Sequence, residues 1–242
     1  MKRELTFLLY LFLINNLTAQ TSEVEFTTQD RIKISATFHQ TENAIGKSPA
    51  IILIHQGGSS KEEWTESKIW KQLIEKGYVL LAYDIRLHGK SEKDKGDIYN
   101  LFNNPVRAPL DLIAAINFLK KNPKIDSNRI GILGASIGGN LAAVTASSDK
   151  YEIKSVVVIS AKTAAVKNLS VGTKELKFKN AFYIASEDEQ NGMRAKWANE
   201  LFIMTSGDKK VSISKGNKHG SYILKENKQL ATDVINWFNK TL

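Results

Sequence analysis

The chain has 242 residues, 42% of them hydrophobic, 24% charged and 9% aromatic, with Gly 15 and Pro 4. This is globular composition, which excludes a disordered, collagenous or low-complexity chain, and the length suits one large domain or two small ones. Cys 0 excludes a disulfide framework, a thiolate metal site, an iron–sulfur cluster, a cysteine nucleophile and a cysteine-linked lipid, while the net charge of +9 acquires meaning only from its placement.

At the N-terminus Lys2 and Arg3 precede an apolar stretch from Leu5 to Ile14, and a polar segment then runs to Ala19-Gln20. A short basic start, a short apolar run and a small residue at Ala19 read as a signal peptide. The apolar run is about half of the roughly 20 residues that a membrane-spanning helix needs. Residues 1–19 are therefore expected to be a cleaved leader, residues 20–242 a single exported domain, and no later stretch is apolar enough to span a bilayer.

Val24–Thr28 and Ile32–His39 alternate apolar and polar residues around Gln29-Asp30, which predicts a hairpin. Ala50–His55, Val79–Asp84, Arg129–Ala135, Ser155–Ser160 and Ala181–Ala185 are different: short and nearly all apolar, as strands buried on both faces are. Between them, helical spacing recurs at Trp64, Ile69, Trp70, Leu73 and Ile74, and at Leu110, Ile113, Ala114, Ile116, Phe118 and Leu119. Leu141 to Ala146, Met193–Met204 and Leu230–Leu242 complete the alternation, with a further strand over Val211–Ser214. Strand and helix alternating along the whole length predict an α/β fold, a doubly wound and mostly parallel sheet with an N-terminal antiparallel hairpin. Trp64, Trp70 and Trp237 are expected in packing roles and His39 at a surface or edge.

Ligands of such sheets bind beyond the carboxyl ends of the strands, so the residues that follow each apolar run carry the interest. Arg129–Ala135 runs into Gly134-Ala135-Ser136-Ile137-Gly138, a G-x-S-x-G sequence between a strand and a helix. There the serine occupies a tight turn that projects its hydroxyl, and small flanking residues let strand and helix approach. A serine hydroxyl needs a base, and the base needs a partner that fixes its tautomer. Of the four histidines, His39 closes a strand, His55 and His88 lie in turns before Ser136, and His219 sits in the loop Gly216-Asn217-Lys218-His219-Gly220 ahead of the last helix. His219 is therefore the expected base. Ala181–Ala185 ends in Ser186-Glu187-Asp188-Glu189; Asp188 is the preferred third member, with Glu187 and Glu189 as competitors.

On these residues the chain resembles the α/β-hydrolase superfamily, in a small, cap-poor group similar to dienelactone hydrolase-like and bacterial carboxylesterase proteins. His55-Gln56-Gly57-Gly58 resembles the HG-type oxyanion loop of that superfamily, and Asp84-Ile85-Arg86-Leu87-His88-Gly89-Lys90-Ser91 its D-x-R-x-H-G-x-S turn. Gln56 and Leu87 stand where glycine is common. The resemblance implies that Ser136 attacks a carbonyl carbon, with the oxyanion held by the N–H groups of Ile137 and of Gly57 or Gln56. His55 and His88 then organise their turns. Too few residues separate Ser160 from Ala181 for a large cap, which predicts an open site. The lysines are dispersed and interrupted by acids, as in Glu92-Lys93-Asp94-Lys95, with no nucleic-acid motif. The expected function is that of an exported serine hydrolase acting on a small-molecule carboxylic ester without cofactor or metal. The alternatives are a serine peptidase of the same fold and a non-catalytic binder of anionic surfaces.

Overall fold

The apolar runs become the middle of one eight-stranded sheet in a computed structural model that describes residues 19–41, 46–172 and 174–242. The leader reading of the N-terminus falls, apart from Ala19, outside the described residues. The strands are β1 (Ala19–Thr27), β2 (Lys33–Thr41), β3 (Ser48–Ile54), β4 (Val79–Tyr83), β5 (Ile125–Ala135), β6 (Ser155–Ile159), β7 (Leu176–Ser186) and β8 (Thr205–Ser214). Their order across the sheet is β1-β2-β4-β3-β5-β6-β7-β8. β2 runs antiparallel to both β1 and β4, and every pairing from β4 through β8 is parallel. β4 and β6 are buried along their whole length, because helices cover both faces of the sheet.

The helices are α1 (Glu62–Thr65), α2 (Lys68–Glu75), α3 (Ile98–Phe102), α4 (Leu110–Lys120), α5 (Ile137–Ala146), α6 (Thr163–Leu169), α7 (Met193–Met204), α8 (Tyr222–Glu226) and α9 (Lys228–Thr241). Since side chains alternate along a strand, adjacent residues of β3 serve two cores. Ile52 and Ile54 pack with residues of α4 to α7, whereas Ile51 and Leu53 pack with Trp64, Trp70, Val234 and Phe238 of α1, α2 and α9. The packing roles expected for Trp64 and Trp70 hold.

Three local expectations are corrected. The periodicity from Trp64 to Ile74 is divided between two helices, because the Ser67 hydroxyl accepts the Trp70 N–H and starts α2 afresh. β7 begins at Leu176 and β8 at Thr205, earlier than apolar runs suggest; β8 is an edge strand, where Lys209 and Lys210 sit without cost. His39 is buried rather than at the surface, its Nδ1 hydrogen-bonded to Thr21 Oγ1 at 2.7 Å and its ring against Trp70.

β4 lies outside β3, so the chain steps out from β3 to β4 and then crosses back to β5 on the other side. The connections leaving β3 and β5 diverge there, which opens a crevice at their carboxyl ends. The described residues contain no helix long and apolar enough to cross a membrane.

Candidate active site

β5 ends at Ala135 and α5 begins at Ile137, so Ser136 alone reverses the chain. It does so at φ 53°, ψ −111°, a conformation that costs a side-chain-bearing residue on the order of 1–3 kcal/mol. The turn is held by the Ser136 N–H donating to Ile159 O at 2.8 Å and by Asn140 N–H donating to Ser136 O at 2.9 Å. The neighbouring glycines are required sterically. A Cβ on Gly138 would lie 2.6 Å from Ile54 O, and one on Gly139 2.8 Å from Ile159 O. The expected elbow is thus present, with Ser136 half-buried at the crevice.

His219 follows β8 in the loop leading to α8 and is partly exposed. Gly220, beside it, packs against Ala135: a Cβ there would be 3.5 Å from that of Ala135 and inside the Gln56 side chain. The His219 loop therefore lies next to the elbow. Ser136 Oγ makes no hydrogen bond to the imidazole among the described residues, a contact that is often long before substrate binds.

The preferred acid does not meet the imidazole. Asp188 is exposed, and its contribution is a main-chain N–H donated to Gly216 O at 2.9 Å. Glu187 is likewise exposed and donates its N–H to Ser214 O. The carboxylate at His219 is that of Glu189, with Oε1 2.6 Å from Nδ1. Main-chain pairing with the strand opposite continues through residues 187 and 188, and the chain turns only at Gln190, Asn191 and Gly192, all at positive φ. Residue 189 is consequently the one that points inward.

Glu189 is 5% exposed and held from three sides. Ser160 Oγ donates to its Oε2 at 2.9 Å, Arg194 Nε stands 3.0 Å from its Oε1, and His219 occupies the same Oε1. Ser160, fully buried at φ 50°, also accepts the Gly220 N–H at 3.1 Å and takes a hydrogen bond from Arg194 on its carbonyl. Burial pushes the Arg194 pKa down and the Glu189 charge opposes this. Ser160 and Arg194 escape the sequence reading, since nothing in a strand end and a helix first turn announces that they converge on one carboxylate.

The loop after β3 distinguishes the Gln56 N–H from that of Gly57. Gln56 N–H points at the Glu63 carboxylate at 3.3 and 3.4 Å, Gly58 N–H at His88 Nε2 at 3.1 Å, and Ser59 N–H at Gln56 O at 3.2 Å. His55 Nδ1 also grips Gln56 O at 2.7 Å. In a trans peptide the next N–H is directed away from that carbonyl, so fixing Gln56 O aims the Gly57 N–H the opposite way. Gly57 packs on Ile137, whose side chain would lie 2.7 Å from a Cβ there. The N–H groups of Gly57 and Ile137 have no partner among the described residues, whereas that of Gln56 is occupied.

His55 and His88 carry the frame of this loop. Ile85 N–H donates to His55 Nε2 at 3.0 Å, and His88 Nδ1 faces Arg86 O at 3.2 Å. A nitrogen facing an N–H is an acceptor and one facing a carbonyl a donor, so the hydrogen bonds fix the orientation of both rings. In the same turn Leu87 takes φ 69°, which costs about 1–2 kcal/mol at a residue with a Cβ. Arg86, buried, is matched by Asp111 at 2.8 Å, Asp30 at 2.5 Å and Asp94 at 3.0 Å. Buried Asp84 binds Lys61 Nζ at 3.1 Å, and a Cβ on Gly89 would collide with its carboxylate.

Burial pushes the His55 pKa from 6.5 down to about 4, with His88 adding to the effect and the Gln56 hydrogen bond opposing it. The unfolded chain therefore takes up this proton as pH falls from 6.5 towards 4 while the folded chain does not. The stability is complete above pH 6.5 and is lost as pH falls through that window, by about 3 kcal/mol in total. Urea unfolding from pH 7.5 to 4 should show wild type losing that much more than His55→Gln; parallel losses would refute the assignment.

No group of three or more His, Cys, Asp or Glu side chains converges as a metal site among the described residues. A family model described as alpha/beta hydrolase fold matches residues 49–219, from β3 to the base loop. The chain belongs to the α/β-hydrolase fold family. Among curated relatives of this chain, the quorum-quenching protein AidA of Acinetobacter baumannii is 29% identical over 138 residues, 56% of this chain and 42% of that protein. The thiohydrolase aneE of Aspergillus aculeatus is 30% identical over 133 residues, 53% of this chain and 38% of the relative. The chain spans about two fifths of the length of these relatives. Among solved structures, the Pyrococcus furiosus esterase Pf2001 superposes with a TM-score of 0.72 at 22% identity, over 93% of this chain and 92% of that one. An acetyl xylan esterase from Paenibacillus sp. R4 gives 0.72 at 16% identity, covering 93% and 89%. At these identities the likeness to the solved structures is one of fold.

Proposed function

We propose that this α/β hydrolase is a serine esterase that cleaves carboxylic esters of small, accessible acyl groups through an acyl-enzyme and, on the leader reading of residues 1–19, an exported one. The observation that carries the proposal is the pairing of His219 Nδ1 with Glu189 at 2.6 Å in a loop packed beside the Ser136 elbow. The chain order Ser136, Glu189, His219 is the order associated with this fold.

Ser136 Oγ attacks the ester carbonyl carbon while His219 Nε2 takes its proton. Glu189 fixes the Nδ1–H tautomer and stabilises the imidazolium. The oxyanion forms between the N–H groups of Ile137 and Gly57, each such donor being worth about 3 kcal/mol in the transition state. The alcohol departs with the proton from His219, and a water activated by the same nitrogen releases the acid. Among the described residues the helices that first follow the carboxyl ends of β3, β4, β6 and β8 are the short α1, α3, α6 and α8, which supports a preference for short acyl chains.

An alkyl fluorophosphonate should add to the peptide containing Ser136, as read by mass spectrometry, and acetyl esters should turn over faster than long-chain esters. An unlabelled Ser136 would sink the proposal; faster cleavage of peptide substrates would move it to a peptidase.

A further inference from the structure

Glu63 is a half-buried carboxylate for which the mechanism above has no task. It lies in the first turn of α1, accepts from Gln56 N–H at 3.3 and 3.4 Å, and stands within electrostatic reach of the Ser59 and Ser221 hydroxyls and of His219. Gln56 and Ser59 belong to the loop that presents the Gly57 N–H. Ser221 and His219 belong to the loop that presents the base. One side chain thus holds one half of the site and stands near the other, the two halves that must meet at the tetrahedral intermediate.

The position is unfavourable for a charge. Burial raises the Glu63 pKa, and the nearby Ser59 and Ser221 hydroxyls, the Gln56 N–H and the proximity of His219 work against that rise. A loop that merely needed closing would be served by an exposed residue. Without an acceptor for its N–H, the Gln56 amide would be free to turn, and it would compete with Gly57 as the group that faces the crevice. Buried amides find partners, and Glu63 supplies the one that keeps Gln56 out of the site.

We propose that Glu63 is a positioning residue of the oxyanion loop, holding the Gln56 N–H aside so that Gly57 and Ile137 alone receive the oxyanion beside His219. The proposal rests on the esterase reading. It separates Glu63 from Glu189, which holds the base, and assigns it to the geometry of the transition state.

The test compares Glu63→Ala and Glu63→Gln with wild type, using p-nitrophenyl acetate and a trifluoromethyl ketone whose hemiketal oxygen occupies the oxyanion position. Glu63→Ala should lose about 100-fold in kcat, the size of a displacement of about 1 Å at a reacting centre, with KM little changed. Ketone affinity should fall by the same factor, since it tracks the transition state. Glu63→Gln, whose amide oxygen can still accept the Gln56 N–H, should recover most of both. Wild-type kcat and ketone affinity in Glu63→Ala, or equal losses in the two variants, would overturn the proposal. If Glu63→Ala does not fold, Glu63→Met fills the same space without an acceptor for the Gln56 N–H; it should weaken ketone affinity with KM unchanged, and an unaltered affinity would overturn the proposal. A wild-type protein with neither turnover nor a Ser136 adduct would bring down the esterase reading and this inference with it, whereas an active wild type with an unaffected Glu63→Ala fails this inference alone.

Discussion

Ser136→Ala should lower kcat on a small acetyl ester by about six orders of magnitude, the loss typical of removing a serine nucleophile. The chain has no cysteine to substitute for the missing oxygen. The other buried serine at the site, Ser160, has its hydroxyl committed to Glu189 and Gly220. The fold should be indifferent to the change. Ser136 has no side-chain cap hydrogen bond, its main-chain bonds to Ile159 and Asn140 survive, and alanine tolerates φ 53° no worse than serine does. A melting temperature at the wild-type value together with lost turnover and lost fluorophosphonate labelling is the expected result. Turnover that persists in this variant would remove Ser136 from the mechanism.

The second large effect distinguishes two adjacent acids. Glu189→Gln should reduce kcat by about ten-thousandfold, because an amide beside Nδ1 can hold the imidazole in the wrong tautomer. It should also destabilise the fold by roughly 3–5 kcal/mol, since Arg194 is buried and loses the charge that compensates its own. Asp188→Asn should change neither activity nor stability beyond about 0.5 kcal/mol, because its side chain is exposed and its one structural contribution is a main-chain N–H. Steady-state kinetics and urea unfolding on the pair decide the matter. A collapse of activity in Asp188→Asn with Glu189→Gln spared would reverse the assignment drawn from the geometry.

The elbow was legible because two independent signals coincide at Ser136, a five-residue motif and the junction of an apolar strand with a helix. His219 was legible by elimination among four histidines. The acid was legible only as a trio. Which of residues 187 to 189 faces inward depends on how far the chain keeps pairing with the end of β8 before three residues at positive φ turn it, and two of those three are Gln190 and Asn191 rather than glycine. The sheet was readable from strands buried on both faces. The first half of β8 was not, because an edge strand has no apolar requirement to display. α3, α6 and α8 are too short to show a helical period, and Glu63, Ser160 and Arg194 matter through convergence in space that no linear spacing encodes.

The sheet order also distributes the reaction centre unevenly. In the proposed mechanism the nucleophile is mounted on β5, in the interior of the sheet, whereas the base hangs from β8, an edge strand, and the acid from β7 beside it. Edge elements open at lower free energy than central ones. On the proposed roles, loss of the site is expected to begin with fraying of this margin rather than with melting of the cores, so fastening β8 to β7 should prolong activity more than repacking the interior.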